Sequence, residues 1–292
     1  MLSAYRKFSL ILFGSLVDKY IVSFKPLEPH IKNANIRILL KAWVSIIFLS
    51  TFLAFVVSLA SIYLLLTYVI FVEFYIYVFS IVFFPVFISS VVFILFYLYP
   101  VEMERSRRKS IENNLPFAIT HMAAISSSGI PTEFMFELLT GFKEYGEITQ
   151  DSKLIMRNIK TFGMSSVDAM KDVADRTPSQ SFRELLLGIV STTESGGDLI
   201  EYLRGMSDKS LFEYRIRREK YLKTLSTYAD IYTALLVAAP LMMLSMLASM
   251  SIIGGSVMGL TIDDVIMLMT WVMLPVFNVG FLAFLHITYP GV

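Results

Sequence analysis

Residues 42–99 read AWVSIIFLSTFLAFVVSLASIYLLLTYVIFVEFYIYVFSIVFFPVFISSVVFILFYLY, with Glu73 as the single charge in the whole run. At about 1.5 Å per residue a single helix of this length would far exceed the ~30 Å hydrocarbon core of a bilayer, so two spans must fold back on each other. The turn is expected near Thr67–Glu73, where the carboxylate lies, with spans over 43–66 and 74–99. A second apolar region yields spans at Ala229–Ile253 and Val265–Thr288, separated by Gly254-Gly255-Ser256-Val257-Met258-Gly259 and then Thr261-Ile262-Asp263-Asp264. Thr261 with Asp264 three residues on has the spacing of a helix N-cap and starts the fourth span.

Charge partitions the chain in the same places. All 25 Lys and Arg lie within 1–41 and 105–223, and none lies in 42–104 or 224–292. Cationic segments resist translocation, so these blocks mark the cytoplasmic side. The expected fold class is therefore an all-α membrane protein, with four transmembrane helices and one cytoplasmic helical-bundle domain between spans two and three. The expected divisions are a basic N-terminal cytoplasmic or interfacial segment (1–41), a transmembrane hairpin (42–99), a cytoplasmic all-α domain (100–228), a second transmembrane hairpin (229–288) and a cytoplasmic tail (289–292). The chain is a multi-pass cell-membrane protein with both termini in the cytoplasm on this reading.

Two membrane-proximal basic clusters bracket the loop: Arg105, Arg107, Arg108 and Lys109 after span two, and Arg215, Arg217, Arg218, Lys220 and Lys223 before span three. Topology anchoring and contact with anionic lipids explain them, at about 1 kcal/mol per charge near the surface. Residues 8–17 form a short apolar run behind Arg6 and Lys7, read as an interfacial amphipathic helix broken by Pro26 and Pro29. Within the second apolar region Asp230 and His286 fall near the cytoplasmic ends, and Ala234/Ala238 and Ser245/Ser249 have the small-residue spacing of close helix packing.

The loop reads as helical throughout, with helices expected over 110–127, 132–144, 150–161, 165–175, 181–194 and 198–224. Gly129 and Pro131 break the chain after the first. Ser165–Asp168 and Ser181–Glu184 are spaced as capping boxes; Gly196-Gly197 ends a helix and Asp198 caps the next, which is expected to run directly into span three. Residues 100–228 carry eighteen basic and eighteen acidic groups, a balance that argues against nucleic acid.

Catalytic signals are absent from the sequence. There is no phosphate-binding GxxxxGK[ST] loop and no Gly-x-Ser-x-Gly, and cysteine does not occur. His30, His121 and His286 lack metal-ligand spacing. The acidic stripes Asp168/Asp172/Asp175 and Glu133/Glu137/Glu144 read as solvated helix faces, with binding of a divalent ion or of a basic protein partner as the functional alternatives. No catalytic, cofactor or metal residues are assigned, and the chain is expected not to be an enzyme.

Two motifs carry a resemblance. Leu115-Pro116-Phe117-Ala118-Ile119-Thr120-His121-Met122 leads to Ser128-Gly129-Ile130-Pro131, and Glu194-Ser195-Gly196-Gly197-Asp198-Leu199 follows. Together they resemble the F domain of the type II secretion family, which includes inner-membrane platform proteins of type II secretion, type IV pili and the archaellum. The wording of the first motif is closest to the archaeal branch. The resemblance implies a helical F-type domain over 100–228 and structural or interaction roles for Leu115, Pro116, Gly129, Pro131, Glu194, Gly196, Gly197 and Leu199. It implies a scaffold for filament assembly, with a hexameric cytoplasmic secretion ATPase and pilin-like subunits as partners. Many platform proteins carry two F domains in tandem, whereas this chain has one. Tyr99-Pro100 and Tyr289-Pro290 occupy equivalent places, so pairing with itself or with a paralogous F-domain protein is expected. An ion-driven stator shares the four-span layout and is the alternative; spans three and four offer few polar residues to line an ion path.

Overall fold

The computed structural model describes residues 2–36, 38–68, 74–254, 256–257 and 259–288. The expected turn at 69–73, Gly255 and Met258 of the second loop, and the tail with Tyr289-Pro290 lie outside the described residues. The chain divides into two compact units, residues 1–208 and 209–292.

In the first unit α1 (Leu2–Tyr20) leads through a short 3-10 turn to α2 (Leu27–Asn33), then to α3 (Leu40–Tyr68) and α4 (Phe74–Ser126). The expected N-terminal helix forms, and it packs against the first span rather than standing apart. It runs antiparallel to α3: Lys41 pairs with Asp18 at 2.7 Å, Phe13 lies against Phe48 and Phe52, and Tyr5 reaches Ser50 at 2.9 Å. Trp43 of α3 stacks on Tyr99 of α4 with ring centroids 5.7 Å apart. Both rings stand where the apolar run ends, the position at which amphipathic aromatics favour a headgroup layer.

A break was expected between span two and a domain helix beginning at 110, but α4 is one helix of 53 residues with Pro85, Pro100 and Pro116 inside it. A proline removes one backbone bond and crowds the carbonyl four residues back. Continuation past Pro100 is favoured locally, because strong helix formers follow with no glycine, and Arg105–Glu102 and Arg108–Glu112 pair along the helix surface.

The remaining helices of this unit are α5 (Thr132–Leu139), α6 (Glu147–Phe162), α7 (Ser166–Ala174), α8 (Gln180–Glu194) and the start of α9 (Leu199–Tyr232). They bury one core with the distal half of α4, in which Ile119, Met122, Phe136, Ile155, Phe182 and Leu186 are the large, nearly inaccessible side chains. Two expected helices differ at their ends. The second stops at Leu139, where Gly141 and a 3-10 turn at Lys143–Tyr145 follow, and the third begins early, at Glu147, after Gly146 with φ +56°.

The Ser165 and Asp198 caps form as expected: Ser165 accepts from the Asp168 backbone N–H, and Asp198 from those of Ile200 and Glu201. The cap of α8 is Ser179, which accepts from Phe182, and not Ser181. Pro178 disfavours helical backbone at Thr177 just before it, so entry falls at the first available hydroxyl after that restriction.

The second unit contains most of α9, a π-helical turn at Thr233–Ala238, α10 (Ala239–Ile253), a two-residue β-ribbon, α11 (Ile262–Leu268), a second π-helical turn at Met269–Met273 and α12 (Leu274–Thr288). Thr261 caps α11 by accepting from Asp264. Four helical stretches, Leu40–Thr67, Tyr77–Ser126, Leu199–Ile252 and Ile262–His286, are long and apolar enough to cross a membrane.

Candidate functional site: a buried polar joint and the motif turns

Arg107 belongs to the first basic cluster by sequence, yet its side chain is only 5% exposed. The face of α4 that carries it turns inward, while Arg105, Arg108 and Lys109 remain exposed. The guanidinium ties α4 to three other segments. Nε donates to Glu147 at 3.2 Å and Nη2 to Asp151, both on α6; Nη1 donates to the carbonyl oxygens of Asn33 at the end of α2 and of Arg176 after α7. A turn earlier on α4, Glu104 accepts from the Asn33 amide at 2.9 Å and pairs with His30. The N-terminal segment, the second span's extension and the helical bundle are thus tied through one cation and its partners.

Asp151 has no exposed surface. Burial pushes its carboxyl up to about 6, with Arg107 acting in the opposite sense and Glu147 adding to the rise. Its Oδ2 has no hydrogen-bond partner among the described residues, nor does the Ser152 hydroxyl. A cavity of about 130 Å³ adjoins the pair, with Arg157, Asp172 and Arg176 on its wall. The sequence held one signal of this site. Asp151 and Ser152 fall on the stripe of α6 that buries Ile148, Ile155 and Met156, which is no place for a solvated carboxylate.

The motif residues are built into turns and packing. Leu115 is buried, and Pro116 sits inside α4, where its carbonyl accepts from Thr120; the same hydroxyl lies 2.8 Å from that of Ser207 on α9. Gly129 has φ +73° and Pro131 caps α5, making an exposed turn. At the second motif Gly196 has φ +67° and donates to Thr193, while Gly197 donates to Thr192 at 2.9 Å, the two bonds of a Schellman stop. Glu194 pairs with Lys171 at 2.7 Å, and Leu199 packs against the core. Arg204 of α9 reaches Ser127 beside the first turn.

In the second basic cluster Arg215, Arg217, Arg218 and Lys220 are all exposed, with Arg218 bonding the Tyr214 hydroxyl along the helix. The acidic stripes are divided among local partners: the Asp168 carboxylate accepts from the Ser165 hydroxyl, Asp172 pairs with Arg176, and Glu137 pairs with Lys160. Among the described residues no group of three His, Cys, Asp or Glu comes close enough to hold a metal ion.

An all-α, multi-pass membrane protein whose helical bundle interrupts two apolar hairpins is the class these elements define. Residues 118–247 match the family model of the type II secretion system protein F. That stretch, a little under half of the chain, is similar to the F domain of that family.

Two flagella accessory J proteins are similar. That of Methanococcus voltae is 28% identical over 137 residues, covering 47% of this chain and 25% of that protein. That of Methanocaldococcus jannaschii is 25% identical over 137 residues, 47% and 24% of the two chains. The matched region thus spans about a quarter of the length of these relatives. No solved structure matches.

Proposed function

We propose that this chain is a non-enzymatic membrane platform for a type IV pilus-like filament, of the archaellum or secretion kind, which couples a cytoplasmic secretion ATPase to pilin-like subunits. The observation that carries the reading is an F domain inserted between two apolar hairpins, in a chain similar to archaeal flagella accessory proteins. The bundle and both termini face the cytoplasm on this proposal, in keeping with the restriction of all 25 Lys and Arg to 1–41 and 105–223. The motif turns at Ser128–Pro131 and Glu194–Leu199 serve the bundle and its contacts, and the exposed basic residues outside the joint meet anionic headgroups. A second copy or a paralogous F-domain protein completes the platform. Mechanically, α9 has no break between Leu199 and Tyr232, which supports transmission of movement along it.

The test is cross-linking and mass spectrometry on the tagged chain, gently solubilised from its native membrane. A hexameric ATPase cross-linked to residues 100–228 is the expected result. A peptidoglycan-anchored or ion-channel partner without an ATPase overturns the proposal in favour of a stator.

A further inference from the structure

The two helices of the second hairpin share an irregularity at the same level. One π-helical turn spans Thr233–Ala238 and the other Met269–Met273, and each is followed two residues after its end by a proline, Pro240 and Pro275. At the exit of each turn the backbone bonds five residues back, Ala239 to Ala234 and Leu274 to Met269. The cause is local. A proline offers no N–H and crowds the carbonyl four residues earlier; those carbonyls belong to Leu236 and Trp271, both inside the π turns, where the widened backbone relieves the crowding.

Either irregularity alone would be an ordinary proline bend. Their alignment across antiparallel neighbours is what carries the argument, because both π turns contribute to one apolar cavity of about 260 Å³. Leu236, Ala239 and Met243 line it from one helix, and Met269, Met273 and Phe277 from the other. Leu235, Met243, Met273 and Phe277 on its wall are exposed, so the space is an open groove between the two helices into which side chains can move. Three of those six side chains are methionine, unbranched and able to repack into irregular space.

The parts on either side are fastened more firmly. Toward the α9 end, the Tyr232 hydroxyl donates to Asn278 at 2.9 Å, Tyr232 packs on Phe281 with centroids 5.3 Å apart, and Tyr228 meets Phe284 edge-on. Toward the loop end, Ser251 bonds Asp263 at 3.1 Å, and the strands pair Val257 with Leu260. The α9-end half has a pocket of its own, about 360 Å³ beside Tyr228, Tyr232, Asn278 and Phe281, so what sets the middle layer apart is the irregular backbone of both helices there.

We infer that the second hairpin is a paired hinge: its two helices bend together at Thr233–Pro240 and Met269–Pro275, and the methionine-lined cavity takes up the change in packing. The inference concerns this unit alone and does not depend on the platform reading. It assigns the hairpin a mechanical property, the freedom of its α9-end half to tilt against its loop-end half while the Tyr232–Asn278 bond stays closed.

The experiment is solid-state NMR of the full chain in aligned lipid bilayers, reading 15N–1H dipolar couplings along both helices and the methyl signals of Met243, Met269 and Met273. The wild-type chain should give separate order parameters for the two halves. Amides of the π turns should fall below the ~0.85 typical of rigid backbone. Pro240→Ala with Pro275→Ala restores two backbone donors and should merge the halves into one order parameter. Ala239→Leu, which fills the cavity and leaves both prolines in place, should narrow the three methionine methyl signals and raise the same couplings. One shared order parameter across the wild-type hairpin would overturn the inference, as would double-proline and cavity-filled chains that retain the wild-type difference between halves.

Discussion

Replacing Arg107 by alanine should destabilise the first unit by an amount that depends on pH. The substitution strands Asp151, which has no exposed surface and whose carboxylate, among the described residues, receives one hydrogen bond, from Arg107. Removing one member of a buried ion pair costs about 3–5 kcal/mol. The Asp151 carboxyl stands at about 6 in the folded chain against an ordinary 3.8, and removing the guanidinium leaves only influences that raise it further. Because the folded state binds the proton more tightly, stability is greatest below the unfolded value and declines as pH rises from about 4 to 6. In the wild type this decline amounts to roughly 3 kcal/mol, from the difference between 3.8 and about 6. In Arg107→Ala it should extend above pH 6, so the deficit relative to wild type should be larger at pH 7.5 than at pH 5. A deficit independent of pH remains from the lost bonds to the Asn33 and Arg176 carbonyls. Denaturant unfolding in a mild detergent, followed by the fluorescence of Trp43 in a Trp271→Phe background, reads both parts. Equal deficits at pH 5 and pH 7.5, or a loss below ~1 kcal/mol at both, would refute the reasoning.

Gly188→Ala should destabilise by about 1–3 kcal/mol, since a Cβ there would lie 1.8 Å from the Tyr202 hydroxyl oxygen, which now bonds the Glu184 and Leu185 carbonyls. Tyr202→Phe should not restore the Gly188→Ala chain, because the ring Cζ would still lie 2.3 Å from the added Cβ, whereas Tyr202→Ala removes the obstruction; a full recovery of Tm with Tyr202→Phe would contradict this packing. Ser179→Ala should cost about 1 kcal/mol and Ser181→Ala under ~0.5, because only the former caps α8; equal losses in thermal unfolding would contradict the assignment. Tyr232→Phe should cost about 0.6 kcal/mol, the usual worth of a hydrogen bond between membrane helices, measured by unfolding in mixed micelles. A loss several times larger would mean that the bond holds more than this helix pair.

What the sequence made legible was local. The spans follow from uninterrupted apolar runs, and the caps at Ser165, Asp198 and Thr261 lie three residues or fewer from the groups they satisfy. The α8 cap was read as Ser181 because Glu184 follows three residues on, whereas Ser179, with Phe182 in that place, lacks the pattern and caps through the backbone entry after Pro178. The end of the second span at 99 and the start of the next helix at 110 were read apart, yet Pro100 lies inside one continuous α4; a proline there costs about 3 kcal/mol or more, which tertiary packing of the flanking turns can offset. Arg107 was the larger departure. Its neighbours at 105, 108 and 109 are exposed, and its partners stand 40 and 44 positions away, beyond the reach of any periodicity in α4. The π turns were equally hidden: Pro240 and Pro275 were visible in the apolar spans, but their alignment across the hairpin is a property of the antiparallel pairing.

The chemistry of the Arg107 joint argues for a geometric role over a stabilising one. Apolar residues of similar volume often match or exceed a buried ion pair in stability, so the pair is poorly explained as a source of folding energy. A guanidinium instead presents donors in a fixed planar fork, and here that fork meets a carboxylate on α6, a carbonyl closing α2 and a carbonyl following α7. An apolar contact tolerates sliding along a helix face, whereas these bonds each specify a direction. The joint stands on the α4 turn that follows Tyr99 and Glu102, where the bundle side of a helix begun in an apolar hairpin must hold its angle to the N-terminal segment. A hydrophobic replacement of both Arg107 and Asp151 would on this argument preserve much of the stability while loosening the angle, so stability and geometry should separate in the double variant.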